Sequence, residues 1–153
     1  MQIDLVEKSR RDYMPLLLIA DPSREEVNKY IDSGVMFVGR DVPQAVAVAI
    51  VVPLDESSLE IKNLAVLAEF RGRGAGKQMV RKVVEWGRGQ GYARLVVGTG
   101  NSSIGNLAFY QKCGFRFLRI ERDFFSKRYD RPIYEEGILC RDLLLFEMDL
   151  KRQ

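Results

Sequence analysis

Arg71-Gly72-Arg73-Gly74-Ala75-Gly76 follows an apolar, strand-like segment and opens a strongly helical one. A glycine-rich turn in that setting leaves several backbone N–H groups unpaired and pointing the same way, which makes a site for a phosphate or pyrophosphate. Two familiar phosphate loops do not fit it. A P-loop needs four residues between its first glycine and Gly-Lys-Ser/Thr, whereas three separate Gly72 from Gly76 and Lys77 is followed by Gln78. That removes the Mg²⁺-binding hydroxyl. A dinucleotide fingerprint needs G-x-G-x-x-G; the spacing here is G-x-G-x-G, and the acidic residue downstream, Glu85, lies inside the following helical pattern.

The pattern that remains is R-x-x-G-x-G, carried by Arg71, Gly74 and Gly76. Before it stands Leu59-Glu60-Ile61-Lys62-Asn63-Leu64-Ala65-Val66, and after it Phe109-Tyr110-Gln111-Lys112-Cys113-Gly114-Phe115. In this order the three segments resemble the pyrophosphate loop, the strand preceding it and the F-Y-x-K-x-G-F segment of the GNAT N-acetyltransferase family, with the likeness clear from about Val46 to Phe117. The resemblance implies an α/β fold of the α+β kind: a central mixed, mostly antiparallel sheet flanked by helices, with a parallel strand pair splayed at the CoA site. It also implies an acetyl-CoA-dependent N-acetyltransferase that moves the acetyl group directly to a primary amine of a small molecule or peptide. The alternative is a CoA-binding sensor or interaction module that keeps the cradle without turnover.

Composition agrees with one domain over residues 1–153. At that length, with 46% hydrophobic residues, the chain can bury about two-thirds of its unfolded surface in a single core. Net charge is +3, from 24 basic and 21 acidic residues, so no field of one sign calls for a nucleic acid or anionic membrane partner. No signal-peptide pattern and no apolar stretch near the roughly 20 residues of a bilayer span is present, and a cytoplasmic protein is expected. A homodimer is left open. Cys113 and Cys140 are too few for a disulfide framework, and without any histidine no metal site and no His-based triad is expected. Chemistry must rest on carboxylates, tyrosines, lysines or backbone.

The periods of the sequence switch in a readable order. Ile3 to Val6 reads as a short strand, Arg10 to Ala20 as a helix interrupted near Pro15, and Ser23 as the N-cap of a helix carrying Glu25 and Glu26 in its first turn and ending at Gly34. Val35 to Gly39 and Gln44 to Val52 form a hairpin; the second strand is apolar on both faces, as in a sheet covered on both sides. Leu59 to Val66, the helix Ala75 to Gln90 and the strand Leu95 to Val97 predict a right-handed crossover and a parallel pair. A helix from about Ile104 to Cys113, a strand from Phe115 to Ile120, mostly loop from Arg122 to Arg141, and a final strand through Leu144, Phe146, Met148 and Leu150 complete the chain.

Acetyl-CoA needs an anion cradle, a strand edge for its pantetheine amides and a pocket for its thioester. The amides of Gly72, Gly74, Ala75, Gly76 and Lys77 are expected to hold the pyrophosphate at a helix N-terminus, with glycine at 72, 74 and 76 admitting an approach that a Cβ would block. Arg71 and Arg73 add charge. By resemblance, the pantetheine arm pairs with the backbone of Val66, and the Leu64 N–H polarises the thioester carbonyl.

An amine with a lysine-like pKa of about 10.4 is only about one-thousandth neutral near pH 7.4, so a base is useful. Glu60 stands at the position of the glutamate base in the histone-acetylating branch of the family, and simple alternation puts it on the strand face of Leu64. The plainer reading is an exposed glutamate beside Lys62. Tyr110 matches the tyrosine that protonates the departing thiolate, against the plainer reading of a packing residue. Many family members place an asparagine seven residues before this tyrosine to bond the pantetheine; here that position is Ser103, with Asn101 and Asn106 nearby as substitutes or as turn and cap residues. Acceptor choice in the family resides in the first helices and last strands. Here Phe124, Phe125, Tyr129 and Tyr134 interleaved with acids would suit a cationic amine, against the plainer reading of a solvated loop whose charges face water.

Overall fold

Apolar residues at every position from Ala45 to Val52 require a strand with no solvent face, and that strand is the spine of the sheet. The structure, a computed structural model, describes residues 1–152. In it β3 (Gln44–Pro53) pairs antiparallel with β2 (Val35–Asp41) on one side and β4 (Ser58–Val66) on the other. With β1 (Gln2–Val6), β5 (Arg94–Gly100), β6 (Arg116–Glu121) and β9 (Leu143–Asp149) they form a seven-stranded sheet in the order β1-β2-β3-β4-β5-β9-β6. Every pairing is antiparallel except β4–β5.

Helices cover both faces. On one, α3 (Ala75–Gly89) and α4 (Ile104–Lys112) enclose Met79, Val80, Val83, Val84 and Tyr110 against Phe37, Ala47, Ala49, Leu59, Ile61, Leu95 and Phe146. On the other, α1 (Met14–Ala20) and α2 (Arg24–Tyr30) enclose Leu17, Val27 and Tyr30 against Met36, Val38, Val48, Ile50 and Ala65. No helix among the described residues is long and apolar enough to cross a membrane.

Two local expectations are corrected. Pro15 does not interrupt a long helix: Arg10–Tyr13 is a 3₁₀ turn, and Pro15 lies in the first turn of α1, where its missing N–H has no helical acceptor to lose. The Ser23 cap forms as expected, with the Glu26 N–H donating to its hydroxyl at 3.2 Å, but α2 ends at Tyr30, short of Gly34. Gly34 (φ +55°) serves the sheet instead, because a Cβ there would lie 2.0 Å from the Val51 carbonyl oxygen. Residues 122–141 are mostly loop, as expected, apart from a short hairpin of β7 (Tyr134–Glu135) and β8 (Ile138–Leu139) that turns through Glu136 and Gly137, both at positive φ as a mirror-image two-residue turn demands.

Candidate active site

The parallel pair predicted from the β4-α3-β5 order forms, but only for its first half. Partners run from Ser58 and Arg94 to Ile61 and Val97, and there the strands part. Beyond that point β4 continues along β3 as far as Val66 opposite Ala47, while β5 continues along β9 as far as Gly100 opposite Leu143. The edges that face each other are left unpaired, which opens a notch lined by backbone N–H and C=O groups. Its origin is a bulge: Val51 pairs with Ile61 and Ile50 with Asn63, so Lys62 has no partner on β3 and β4 bends there.

The same bulge overturns an expectation. An extra residue inverts alternation, so Leu64 and Val66 pack on the α3/α4 face with Leu59 and Ile61, while Glu60 faces the α1/α2 side with Asn63 and Ala65. Glu60 and Leu64 therefore stand on opposite faces of β4. Tyr110 belongs to the α3/α4 face, its ring held edge-on by Phe109 (5.2 Å) and Phe115 (5.5 Å) and tilted against Phe146 (5.9 Å). Burial pushes its hydroxyl well above the ordinary tyrosine range, so it stays protonated. Tyr110 thus lies on one face of the sheet and Glu60 on the other, Glu60 opposite Val96 in the paired stretch just before the strands part.

At the wide end of the notch lies the glycine loop. Gly72 (φ +75°) and Gly74 (φ +82°) take the left-handed conformation with open space where a Cβ would stand, and Gly74 is the N-cap of α3. The first intrahelical bond runs from the Gln78 N–H to the Gly74 carbonyl (3.0 Å), so the amides of Ala75, Gly76 and Lys77 have no acceptor within the helix. This concavity fits a pyrophosphate. Gly76 is different: a Cβ there would come 3.0 Å from the Phe109 ring and press on α4. Arg71 Nε donates to the Val66 carbonyl (3.2 Å), and Arg73 lies over the Phe70 ring at 5.3 Å, which leaves both guanidiniums beside the loop.

The three amide and hydroxyl candidates separate. Asn101 is committed to the backbone, donating to the Leu139 carbonyl (3.0 Å) and accepting from the Arg141 (2.8 Å) and Asp142 (3.0 Å) N–H groups, so it welds the end of β5 to the segment before β9. Ser103, the N-cap of α4, donates to Glu135 of the small hairpin (2.9 Å), as Ser102 does. Only Asn106 stands exposed on the notch, donating to Thr99 on the splayed part of β5 at 3.3 Å. Of the acceptor-side aromatics, Phe124, Phe125 and Tyr129 stack in sequence at 5.0 and 5.9 Å, and Arg128 already covers the Phe124 ring at 3.7 Å. Tyr134 is exposed.

Sequence reading missed a second constellation on the Glu60 face. Buried Asn63 donates to the Leu17 carbonyl (3.0 Å) and to the Tyr30 hydroxyl (3.0 Å), and Tyr30 donates to Asp21 (3.1 Å), so the bulge is tied to both α1 and α2. Burial holds the Tyr30 hydroxyl protonated, and Asn63 Oδ1 has no partner among the described residues. Lys62 lies 3.7 Å from Glu60 and 5.8 Å from the centre of the Tyr30 ring. An ion pair this exposed contributes about 1 kcal/mol or less. No local pattern marks these contacts, because their members are far apart in sequence.

Comparison with known proteins agrees with this geometry. Residues 4–115 match the model of the Acetyltransferase (GNAT) family. The chain is 37% identical over 150 residues to the Bacillus subtilis N-acetyltransferase YvbK, covering 98% of this chain and 97% of that one. It is similar to a crystal structure of a GNAT family acetyltransferase from Elizabethkingia anophelis with acetyl-CoA bound (37% identity, 97% of each chain, TM-score 0.92). A Bacillus subtilis acetyltransferase in complex with CoA superposes comparably (37% identity, 97% of each chain, TM-score 0.91).

Proposed function

Because this chain belongs to the GNAT acetyltransferase family and is an N-acetyltransferase, we propose that it transfers an acetyl group from acetyl-CoA directly to a primary amine, with the β4–β5 notch as the donor site. The observation that carries this reading is the notch itself, with the glycine loop at its wide end. A bound acetyl-CoA supplies the activated acyl group and a thiolate leaving group. The amides of Ala75, Gly76 and Lys77, with Arg71 and Arg73, neutralise the pyrophosphate. Arg71 exchanges its bond to Val66 for phosphate, which releases the Val66 carbonyl to the pantetheine, and Asn106 takes over the contact made elsewhere in the family by an asparagine on this helix.

The Leu64 N–H polarises the thioester carbonyl. The amine arrives from the α1/α2 face, where Glu60 removes its proton; on the opposite face the Tyr110 hydroxyl protonates the departing sulfur. Base and acid on opposite faces keep the two proton transfers from short-circuiting. Asp21, Tyr30 and Tyr129 form the rim through which a cationic amine enters.

The test is release of free CoA thiol from acetyl-CoA in the presence of a panel comprising an alkylamine, a polyamine and a lysine-containing peptide, with tertiary amines as controls. Thiol release with a matching acetylated product for at least one primary amine, and none for tertiary amines, is the expected result. Tight acetyl-CoA binding without release across the panel would contradict it and support a sensor.

A further inference from the structure

Lys62 is a primary amine that the chain itself places on the proposed base. It stands at the bulge where β4 leaves β5, two residues before Leu64, with its ammonium 3.7 Å from Glu60 Oε1 and 5.8 Å from the centre of the Tyr30 ring. A carboxylate beside an aromatic face is the environment that an alkylammonium acceptor seeks. The side chain is 44% exposed, so it is not locked in place and can turn toward the mouth of the notch. The other ion-paired lysine among the described residues differs: Lys29 pairs with Glu26 at 2.7 Å on α2, away from β4 and β5.

We propose that Lys62 is an intramolecular acceptor, acetylated in cis by acetyl-CoA bound to the same chain when no free amine competes. This rests on the reading of the notch as donor site and of Glu60 as base. Glu60 takes one proton from the Lys62 ammonium and passes it to solvent. The freed lone pair on Nζ forms a C–N bond to the thioester carbonyl carbon, the C–S bond breaks with its electron pair on sulfur, and the nitrogen sheds a second proton as the amide forms. Tyr110 protonates the sulfur and is reprotonated by solvent. The net products are an Nε-acetyl amide on Lys62, free CoA thiol and one proton. Loss of the ammonium breaks the pair with Glu60 and the cation–π contact with Tyr30.

The experiment incubates the purified chain with acetyl-CoA alone, beside a second sample containing the amine panel, and reads both by peptide mass spectrometry. Because the amine is on the same chain as the bound donor, two residues from Leu64, Lys62 is expected to be acetylated about 10-fold or more faster than any other lysine. Its first-order rate should not change with protein concentration, and Tyr110→Phe should slow it about 10²-fold. Acetylation of Lys62 at the level of Lys29 or Lys82, in a preparation that acetylates a panel amine, overturns the proposal and leaves the proposed function standing. A rate that rises with protein concentration overturns the cis assignment. Failure of both Lys62 and the whole panel to react removes the donor-site reading and this proposal with it.

Discussion

Replacing Tyr110 by phenylalanine is expected to lower kcat by about 10²-fold or more while the dissociation constant for acetyl-CoA stays near that of the parent chain. The expectation follows from how the side chain is held. Phe109, Phe115 and Phe146 fix the ring, and a phenylalanine keeps all three contacts, so the substitution removes a hydroxyl and little else. Calorimetry with acetyl-CoA and steady-state turnover of the same preparation separate binding from chemistry. Parent-like turnover would make Tyr110 a packing residue and leave water to protonate the thiolate.

Glu60→Gln is expected to cost about 10²-fold or more in kcat/KM near neutral pH, and the defect should shrink as pH rises. Glutamine keeps the shape and most hydrogen-bonding capacity but cannot take a proton from the amine. Below an amine pKa of about 10.4 the neutral acceptor is scarce and the base matters; as pH approaches that value solvent supplies neutral amine without help. The profile from about pH 6 to pH 10 is clean for this purpose, because burial raises the Tyr110 pKa above the ordinary tyrosine value and the acid therefore remains protonated throughout. A ratio between variant and parent that stays constant across the range would assign Glu60 an orienting or electrostatic part instead. The Lys62 pair is too weak to explain a loss of that size by itself.

What could be read from the chain was whatever depends on local chemistry. The glycine loop is legible because left-handed backbone at Gly72 and Gly74 needs glycine, and because a helix must start where the apolar period changes after Gly74. The two-sided burial of β3 is legible because its sequence has no polar face. The faces of β4 were not, since a single unpaired residue at Lys62 inverts alternation and nothing in the composition of Ile61-Lys62-Asn63 announces a bulge. Splaying of β4 from β5 was expected on family resemblance alone; its physical cause, the same bulge, required the register. Asn101 reads equally as a ligand contact or a turn residue, and only the approach of residues 139 to 142 decides for the turn. The Asn63–Tyr30–Asp21 chain joins three elements that no local pattern connects.

Direct transfer requires that donor and amine occupy the notch together, and nothing in the chemistry of the site favours an acetylated enzyme on the way. The chain has no histidine, and burial raises the pKa of both Cys113 and Cys140, which keeps them as poorly nucleophilic thiols. The measurement that bears on this most directly is the initial rate as a function of acetyl-CoA at several fixed concentrations of an accepted amine. Transfer within a ternary complex predicts double-reciprocal lines that intersect, with no exchange of label between CoA and acetyl-CoA in the absence of amine. Parallel lines accompanied by such exchange would mean a ping-pong route through an acetyl-enzyme and would contradict the account.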